Sequence, residues 1–517
     1  MLYEKSEEFT AVTVLQDIFL MKIAKFTLPF STSCKYSVQI YSDPFEAVKD
    51  ISDKAKLLIG GYGLCGIPEN LIKGVVKNGA KDLVCVSSDA AVDNCGLSLL
   101  LQKRQVKKLI ASYVGGNSVF RKQYAQGEID LELTPQGTLS ERIRCGGAGI
   151  PAFYCPTGYG TLIQEGGLPT RYKKNGEIYE ASSAKEVRVF NGINYVLEEA
   201  IVADFALIKA WKADKLGNLV FRYTAGNFNI PMCKAAKTTV VEVEELVDIG
   251  KLSPSEIHVP SIYCHRIVVG SNYEKDVEKL GMEFGEKANP ILPAAKTREF
   301  IAKRVALEFK DGMYVSVGPG IPANSLKYLS KEVTVHLSTE TGALCVTSCL
   351  NKKEADSDLI DSGRKAIKLL PGAAVYGSDE AYAQIRGGHI DLVVVGGLQV
   401  SETGDLANWL VPGSTIKGVG GLMDLVSSQA TKVIVAMEHV TDGKPNIVNH
   451  CSLPLTAKNC VSRIITDMAV FDVDLVNGLT LIEVRDDLTV EDIIENTGCA
   501  FKVSSELQPM SNGSGCS

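Results

Sequence analysis

The chain has 517 residues, more than one hydrophobic core usually accommodates, so two or three domains are expected. Hydrophobic residues make up 45% and charged residues 22%, and no apolar run reaches the roughly 18 residues of a membrane-spanning helix. The net charge of −7, with both signs mixed along the chain, argues against a nucleic-acid-binding surface. The 14 cysteines and 6 histidines show no zinc-binding spacing, which favours reduced thiols inside a cell.

The first 40 residues are predicted to be a leader. Read from Met1, the segment carries several acidic residues and no arginine, which is a poor match to a transit peptide. Read from Met21, it carries Lys22, Lys25 and Lys35 and no acidic residue before Asp43. Residues 1–40 are therefore a candidate mitochondrial presequence, and a disordered leader is the alternative.

The next elements alternate between short apolar strands, glycine turns and helix starts. Pro68 and Pro322 suit the first turn of a helix, where a missing N–H costs nothing. The predicted strands are Lys56–Gly61, Leu83–Ser88, Gly312–Gly318, Val333–Ser338 and Asp391–Gly397, the last buried on both faces. This alternation predicts an α/β fold with parallel or mixed sheets covered by helices.

A weak internal repeat divides the chain. Gly66-Ile67-Pro68 recurs as Gly320-Ile321-Pro322, and Gly166-Gly167 recurs as Gly420-Gly421, an offset of 254 residues in both cases (66 to 320, 167 to 421). The predicted fold is therefore two structurally related open α/β domains, at 41–249 and 297–510. A linker is predicted at 250–296, and an ordered arm is the alternative for 257–269.

The turn after the first strand matches a dinucleotide fingerprint. Gly61, Gly63 and Gly66 have the G-x-G-x-x-G spacing, and Asp89 follows the next strand, where a ribose-binding acid would lie. This makes an NAD-dependent dehydrogenase an alternative function. The repeat copy around Gly320 keeps Gly-Ile-Pro but lacks the fingerprint, which counts against a pyrophosphate turn.

The second half places a carboxylate where α/β sheets hold reactive groups. Glu340 follows the predicted strand Val333–Ser338 and precedes Gly342, so it lies at the carboxyl end of a strand. The aligned place in the first half reads Ser87-Ser88-Asp89. Glu340 is therefore the candidate catalytic residue.

Long ordered stretches from about 41 to 510 resemble the 3-oxoacid coenzyme A transferase family. The matching stretches are 60–72, 132–154, 156–167, 204–214, 385–391, 404–413, 418–428 and 453–467, with Tyr62 where phenylalanine is usual. The resemblance implies a homodimer in the mitochondrial matrix that acts in ketone-body catabolism. It implies no metal and no cofactor, since the coenzyme A thioester is itself the substrate.

The resemblance also implies a ping-pong reaction in which Glu340 attacks the thioester of succinyl-CoA. The acyl group and CoA then exchange to leave a glutamyl-CoA thioester, and acetoacetate or another 3-oxoacid receives the CoA. Candidate donors to the oxyanion and substrate are Gln136, Gly420 and Gly421. Candidate CoA-binding residues are Gly61, Gly63, Ser316 and Arg364, the last in place of an expected lysine.

Several positions depart from the family pattern, and they gather around the site. They are Ser88, Asp89, Ser316, Thr341, Cys345 and Thr347. We expect Asp89, if it is close, to raise the pKa of Glu340. The alternative to an active transferase is a weakly active or inactive paralogue that binds CoA or serves as a subunit partner.

Overall fold

The structure is a computed structural model that describes residues 38–271, 273, 293–413 and 416–510. The predicted leader lies outside the described residues except for its last positions, as do residues 272 and 274–292 of the predicted linker. No helix in the described ranges is long and apolar enough to cross a membrane. The 12 cysteines in these ranges are all free thiols.

The first half of the chain contains fourteen strands and seven helices in the described ranges. Its strands are β1 Gln39–Tyr41, β2 Lys56–Ile59, β3 Leu83–Val86, β4 Val106–Ala111, β5 Asp130–Leu133, β6 Ala152–Cys155, β7 Pro169–Tyr172, β8 Ile178–Ala181, β9 Val187–Phe190, β10 Ile193–Glu199, β11 Ala203–Asp214, β12 Leu219–Val220, β13 Ala236–Val247 and β14 Arg266–Val269. Its helices are α1 Pro44–Val48, α2 Glu69–Asn78, α3 Ser98–Gln102, α4 Ser118–Ala125, α5 Gln136–Gly147, α6 Leu162–Glu165 and α7 Asn229–Met232.

The second half contains fifteen strands and five helices in the described ranges. Its strands are β15 Tyr314–Val317, β16 His336–Thr339, β17 Ala343–Ser348, β18 Ile367–Val375, β19 Leu392–Val395, β20 Gln399–Ser401, β21 Leu406–Ala407, β22 Lys432–Ala436, β23 Val440–Thr441, β24 Lys444–Pro445, β25 Ile447–Val448, β26 Arg463–Ile465, β27 Ala469–Asp474, β28 Gly478–Val484 and β29 Phe501–Pro509. Its helices are α8 Pro293–Ala306, α9 Ile321–Ser325, α10 Ser378–Arg386, α11 Leu422–Leu425 and α12 Val490–Asn496.

Each half is built on one large sheet. The first has the order β1-β14-β13-β11-β2-β3-β4-β5, all parallel, with β12 added antiparallel to β11. The second has the order β18-β17-β16-β15-β19-β22-β26-β27-β28-β29 and is parallel at its centre, from β16 to β26. The predicted α/β class with two related open sheets is confirmed.

Hydrophobic residues cover both faces of each sheet. In β2, Leu57 and Ile59 pack on one face and Leu58 on the other. In β19, Val393 and Val395 pack on one face and Leu392 and Val394 on the other, so this strand is buried on both sides as predicted. Parallel strands covered by helices on both faces need such continuous apolar runs.

The repeated Gly-Ile-Pro segments begin corresponding helices. Pro68 directly precedes α2, and Pro322 lies in the first turn of the shorter α9. The strand before each, β2 or β15, lies inside its sheet with parallel neighbours on both sides. The shared motif therefore marks the same strand-to-helix turn in both halves.

The described part of the predicted linker forms an ordered arm. Strand β14 joins the first sheet between β1 and β13, with Ile267 paired to Val241 and to Ile40. The strand β1 itself begins at Gln39, inside the predicted leader. The alternative of an ordered arm therefore describes 257–269 better than a free linker does.

Candidate active site

Glu340 lies in the tight turn between the antiparallel strands β16 and β17. Gly342 N–H donates to Thr339 O over 3.0 Å and closes the turn. Gly342 has a φ of +99°, and a Cβ there would lie 2.0 Å from Tyr376 O. Only glycine fits this position, so the backbone fixes the direction in which the neighbouring glutamate points.

The Glu340 side chain is buried, with 7% of the residue exposed. Burial raises its pKa from 4.5 to about 7, and the negative charges of Asp424 and Asp361 act in the same direction. A hydrogen bond from Tyr382 opposes them, because Tyr382 Oη lies 3.1 Å from Glu340 Oε2. A carboxylate that is poorly solvated and basic is well suited to act as a nucleophile.

A short ladder of backbone hydrogen bonds between the two halves brings Gly420 and Gly421 close to Glu340. Val419 N–H donates to Ser112 O over 2.9 Å, and Val114 N–H donates to Lys417 O over 2.7 Å. A Cβ on Gly418 would lie 2.3 Å from Ser112 O, so this close approach requires glycine. The ladder places the end of β4 beside the segment that leads into α11.

Gly421 lies directly against Glu340, the candidate nucleophile. A Cβ at this position would lie 2.4 Å from both Glu340 Oε2 and Tyr382 Oη. Among the described residues, Gly421 N–H donates no hydrogen bond, whereas Gly420 N–H donates to Ser112 O over 3.3 Å. Of the two predicted glycine donors, Gly421 is therefore the one whose N–H has no acceptor among the described residues.

Gln136 reaches the same place from the first half. It begins α5, and its N–H donates to Gly420 O over 3.0 Å. Its side-chain Oε1 lies 3.0 Å from Tyr382 Oη and 3.5 Å from Tyr62 Oη. Its Nε2 donates to none of the described residues, although the residue is 3% exposed. The amide therefore offers a free donor beside Glu340.

Asp424 holds the start of α5 from the second half. Its carboxylate accepts hydrogen bonds from Gly137 N–H at 2.8 Å and Thr138 Oγ1 at 3.2 Å. Burial raises the pKa of Asp424 to about 6, against the lowering effect of Arg386. The residue fixes the first turn of α5 and thereby the backbone of Gln136.

A second group lies around Asp89. Its carboxylate accepts from Gly63 N–H at 2.9 Å and Ala91 N–H at 2.7 Å, and Arg364 Nη2 lies 3.2 Å from Asp89 Oδ2. The expected effect of Asp89 on Glu340 is not found. The carboxylates that raise the pKa of Glu340 are Asp424 and Asp361 instead, and Asp89 is paired with Arg364.

The glycine turn, which carries Gly61 and Gly63, is closely packed. Gly61 and Gly63 have φ values of +110° and +58°, and they line a cavity of about 10 Å³ with Asp89. That volume is enough for about one water molecule. Gly63 N–H already binds Asp89, so this amide of the fingerprint is not free for the pyrophosphate of a dinucleotide, which counts against the dehydrogenase alternative.

The structure brings the predicted residues together as two groups. Glu340, Gln136 and Gly421 form one, and Gly61, Gly63 and Arg364 surround Asp89 in the other. Tyr62 links them, because its hydroxyl lies near Gln136 and donates to Ser362 O over 3.0 Å in the loop that carries Arg364. Ser316 is buried within β15 and hydrogen-bonds to neither group.

Two of the residues that depart from the family pattern lie in the turn that carries Glu340 and in strand β17, which follows it. Thr341 is fully buried and donates through Oγ1 to Ile360 O over 2.7 Å. Cys345 lies at a register shift of the β17–β18 pairing with a φ of +60°, a conformation that favours glycine.

Sequence reasoning missed Tyr382 and Asp424. Asp424 lies three residues after Gly421, close enough to suggest a role, but its partners on α5 are remote in sequence. Tyr382 lies mid-helix in α10 with no motif of its own. Within the described ranges, no group of three or more His, Cys, Asp or Glu residues could hold a metal ion.

Residues 41–270 and 298–496 match the model of the coenzyme A transferase family. Together with the paired α/β sheets and the buried strand-end carboxylate, this match defines the class, and the chain belongs to the coenzyme A transferase family.

Comparison with individual relatives shows which members of the family this chain resembles. The chain is 53% identical to human succinyl-CoA:3-ketoacid coenzyme A transferase 2, mitochondrial, over 93% of each chain. It is 50% identical to mouse succinyl-CoA:3-ketoacid coenzyme A transferase 2A, mitochondrial, over 92% of this chain and 91% of that one. The fold also matches the apoenzyme of an acyl-CoA transferase (YdiF) from Escherichia coli O157:H7, with a TM-score of 0.71 and 20% identity over 93% of this chain and 96% of that one.

Proposed function

We propose that this chain transfers coenzyme A from succinyl-CoA to acetoacetate or another 3-oxoacid, through a glutamyl-CoA thioester on Glu340. The observation that carries the proposal is the buried Glu340 carboxylate next to two unused donors, Gly421 N–H and Gln136 Nε2. The names of the human and mouse relatives support the same donor and acceptor. These relatives give no support to a dehydrogenase or to an inactive paralogue.

In the first half-reaction, a Glu340 carboxylate oxygen forms a bond to the thioester carbonyl carbon of succinyl-CoA. The developing oxyanion accepts hydrogen bonds from Gly421 N–H and Gln136 Nε2, and the C–S bond then breaks to release the CoA thiolate. The product is a mixed anhydride of Glu340 and succinate. The thiolate attacks the Glu340 acyl carbon, succinate leaves as a carboxylate, and Glu340 is left as a thioester of CoA.

The second half-reaction runs the same steps in reverse. The acetoacetate carboxylate attacks the glutamyl thioester, the thiolate leaves, and the new anhydride is cleaved at the acetoacetyl carbon by the returning thiolate. Acetoacetyl-CoA departs and the Glu340 carboxylate is restored. Burial of the site supports this sequence, because water would otherwise hydrolyse both the anhydride and the thioester.

Burial also makes the Glu340 carboxylate more basic. With the pKa of Glu340 raised to about 7, the group is near half ionised at neutral pH and is more basic than an exposed carboxylate. A basic carboxylate attacks a thioester more readily, and the acid limb of the rate should follow its ionisation.

We further propose that CoA binds along Gly61, Gly63 and Arg364, with Ser316 on the second sheet. Arg364 carries a positive charge beside the glycine turn, and its pairing with Asp89 places it between the two halves. The proposed domains are 41–249 and 297–510, extended by the arm that ends in β14. Homodimer formation and a location in the mitochondrial matrix, after removal of a leader, are also proposed, and the human relative's name as mitochondrial supports the location.

The test is a covalent trap. The protein is incubated with acetoacetyl-CoA, reduced with borohydride or left untreated, and examined by intact and peptide mass spectrometry. In the untreated sample we expect a CoA adduct on the peptide that contains Glu340, and after borohydride the primary alcohol left by reduction of that thioester. Both products should be lost in Glu340→Ala and retained in Glu506→Ala, which changes an exposed glutamate. Absence of the adduct in the wild-type protein would overturn the proposed function.

A further inference from the structure

Tyr382 lies between the nucleophile and the candidate oxyanion donor. Its Oη is 3.1 Å from Glu340 Oε2 and 3.0 Å from Gln136 Oε1, and the residue is fully buried. A phenol hydroxyl has a single proton to donate. With Glu340 ionised, both neighbouring oxygens are acceptors, so Tyr382 can serve only one of them at a time.

The proton count defines two arrangements. When Glu340 is a carboxylate, Tyr382 donates to Glu340 Oε2, and the Gln136 oxygen keeps only the longer 3.5 Å approach of Tyr62 Oη. When Glu340 is an acid, its own proton is donated to Tyr382 Oη, and Tyr382 donates to Gln136 Oε1. The two arrangements differ by the proton on Glu340 and by a rotation of the Tyr382 hydroxyl, and no proton leaves the tyrosine.

We propose that Tyr382 is a positioning residue that alternates its single proton between Glu340 and Gln136, and so couples the charge on the nucleophile to the orientation of the amide donor. The proposal rests on the proposed function for its role in the reaction.

The coupling matches the needs of each reaction stage. Before attack, the donated hydrogen bond stabilises the ionised carboxylate and aims it. Once Glu340 is an anhydride or a thioester it carries no charge, and the stronger acceptor for Tyr382 becomes the Gln136 oxygen. Holding that oxygen directs Gln136 Nε2 toward the acyl group, which is where the oxyanion forms in the next step.

Groups from every adjoining element face Glu340. Tyr382 comes from α10, Asp424 from α11, Asp361 from the loop before β18, and Tyr62 from the glycine turn. The nearby cations have other partners, since Arg364 pairs with Asp89 and Arg386 with Glu141. Of these groups, Tyr382 is the one that lowers the pKa of Glu340, while Asp424 and Asp361 raise it.

Tyr382→Phe tests the proposal because it removes one oxygen atom and keeps the ring. Losing the hydrogen bond raises the pKa of Glu340 further, so the acid limb of glutamyl-CoA formation should move to higher pH, with a loss of about tenfold near pH 6. The titration of Glu340 in the free protein should move the same way. It can be followed by the infrared carboxylic-acid C=O stretch, isolated by subtracting each protein's Glu340→Gln counterpart.

The matched control is Tyr376→Phe, which removes a hydroxyl that donates to Gln384 and contacts neither Glu340 nor Gln136. Both titrations should be unchanged in this control. If Tyr382→Phe titrates like the wild-type protein in the infrared experiment, the proposal is wrong whatever the activity. If the wild-type protein forms no adduct but the infrared titration moves as expected, the proposed function fails and the hydrogen-bond coupling stands.

Discussion

Arg364 and Asp89 form an ion pair between the two halves of the chain, with Arg364 Nη2 3.2 Å from Asp89 Oδ2. Both side chains are largely buried, and Asp89 also accepts hydrogen bonds from Gly63 and Ala91. Removing one partner of such a pair leaves an uncompensated charge, which costs more than the pair contributes. The proposed CoA site would place anionic phosphates where they compensate the charge of Arg364.

Asp89→Asn should therefore destabilise the free protein and make it more dependent on CoA. The asparagine oxygen can still accept from Gly63 N–H, but Arg364 loses its counter-charge. We expect a loss of about 2–3 kcal/mol in the free energy of unfolding, part of which returns when CoA is added. Urea unfolding with and without CoA measures both effects.

The matched control is Asp356→Asn, which breaks another ion pair between the halves, the one with Arg222. That pair is more exposed, and the Arg222 guanidinium hydrogen-bonds to Asp356 and Asp358 rather than to the glycine turn, so its loss should be smaller and insensitive to CoA. An equal response of the two variants to CoA would contradict the assignment of Arg364 to CoA binding.

Glu340→Gln should abolish transfer and also stabilise the protein at alkaline pH. Because the folded-state pKa of Glu340 is raised from 4.5 to about 7, ionisation costs stability as the pH rises through this window, and an amide does not ionise. The difference from the wild-type protein should be absent at low pH and grow to about 3 kcal/mol by about pH 8. Urea unfolding at several pH values checks it, with the exposed Glu506→Gln expected to show no such trend.

Gly421→Ala should damage the reaction more than the fold. The backbone φ of −87° is open to alanine, but the added Cβ would lie 2.4 Å from Glu340 Oε2 and Tyr382 Oη. Displacement of the nucleophile should lower kcat by about 100-fold or more, since small misplacements of reacting groups are costly. Steady-state kinetics and thermal unfolding on the same preparation separate the two effects.

Gly420→Ala should, in contrast, affect stability more than the reaction. This glycine has a φ of +59°, and nothing lies within 4 Å of the added Cβ. We expect a loss of about 1–2 kcal/mol in stability from the left-handed backbone, with a smaller effect on kcat than that of Gly421→Ala. The reverse ranking of the two variants in kcat would argue that Gly421 is not the residue beside the nucleophile.

Cys345→Gly should stabilise the protein. Cys345 occupies a bulge at a φ of +60°, where a side chain strains the backbone, and this strain outweighs the weak hydrogen bond of 3.4 Å between its Sγ and His336 Nδ1. Relief of this strain, less the extra entropy of glycine in the unfolded chain, should add about 0.5–1 kcal/mol to the free energy of unfolding. Cys345→Ser keeps the strain and should show no gain, and a gain in both variants would point to the thiol rather than the backbone.

The local patterns were sufficient to locate the main strands and to single out Glu340 as the candidate nucleophile. The apolar runs that became β2 and β19 are continuous, because strands buried on both faces need apolar residues at every position. The strand before Glu340 begins at His336, three residues later than its apolar pattern predicted. Glu340 was marked by its place between a strand and a glycine, and that glycine is required because of its φ and its contact with Tyr376. Such constraints act over a few residues, so they are visible in one stretch of sequence.

The surroundings of Glu340 depended on contacts between residues far apart in the chain. Tyr382 is 42 residues from Glu340 and 246 from Gln136, and Asp424 is 287 residues from Gly137. The sequence also did not show which carboxylates raise the pKa of Glu340, since Asp89 was expected to do so but pairs with Arg364.

By itself, the sequence determined the class of fold, the repeat of two related halves and the identity of the candidate nucleophile. These follow from local periodicity, turn chemistry and family motifs. Only the tertiary structure decided which hydroxyl, which glycine N–H and which charges surround Glu340. The burial that raises the pKa of Glu340 comes from side chains of several remote elements meeting at one strand end, and no single stretch of sequence contains that information.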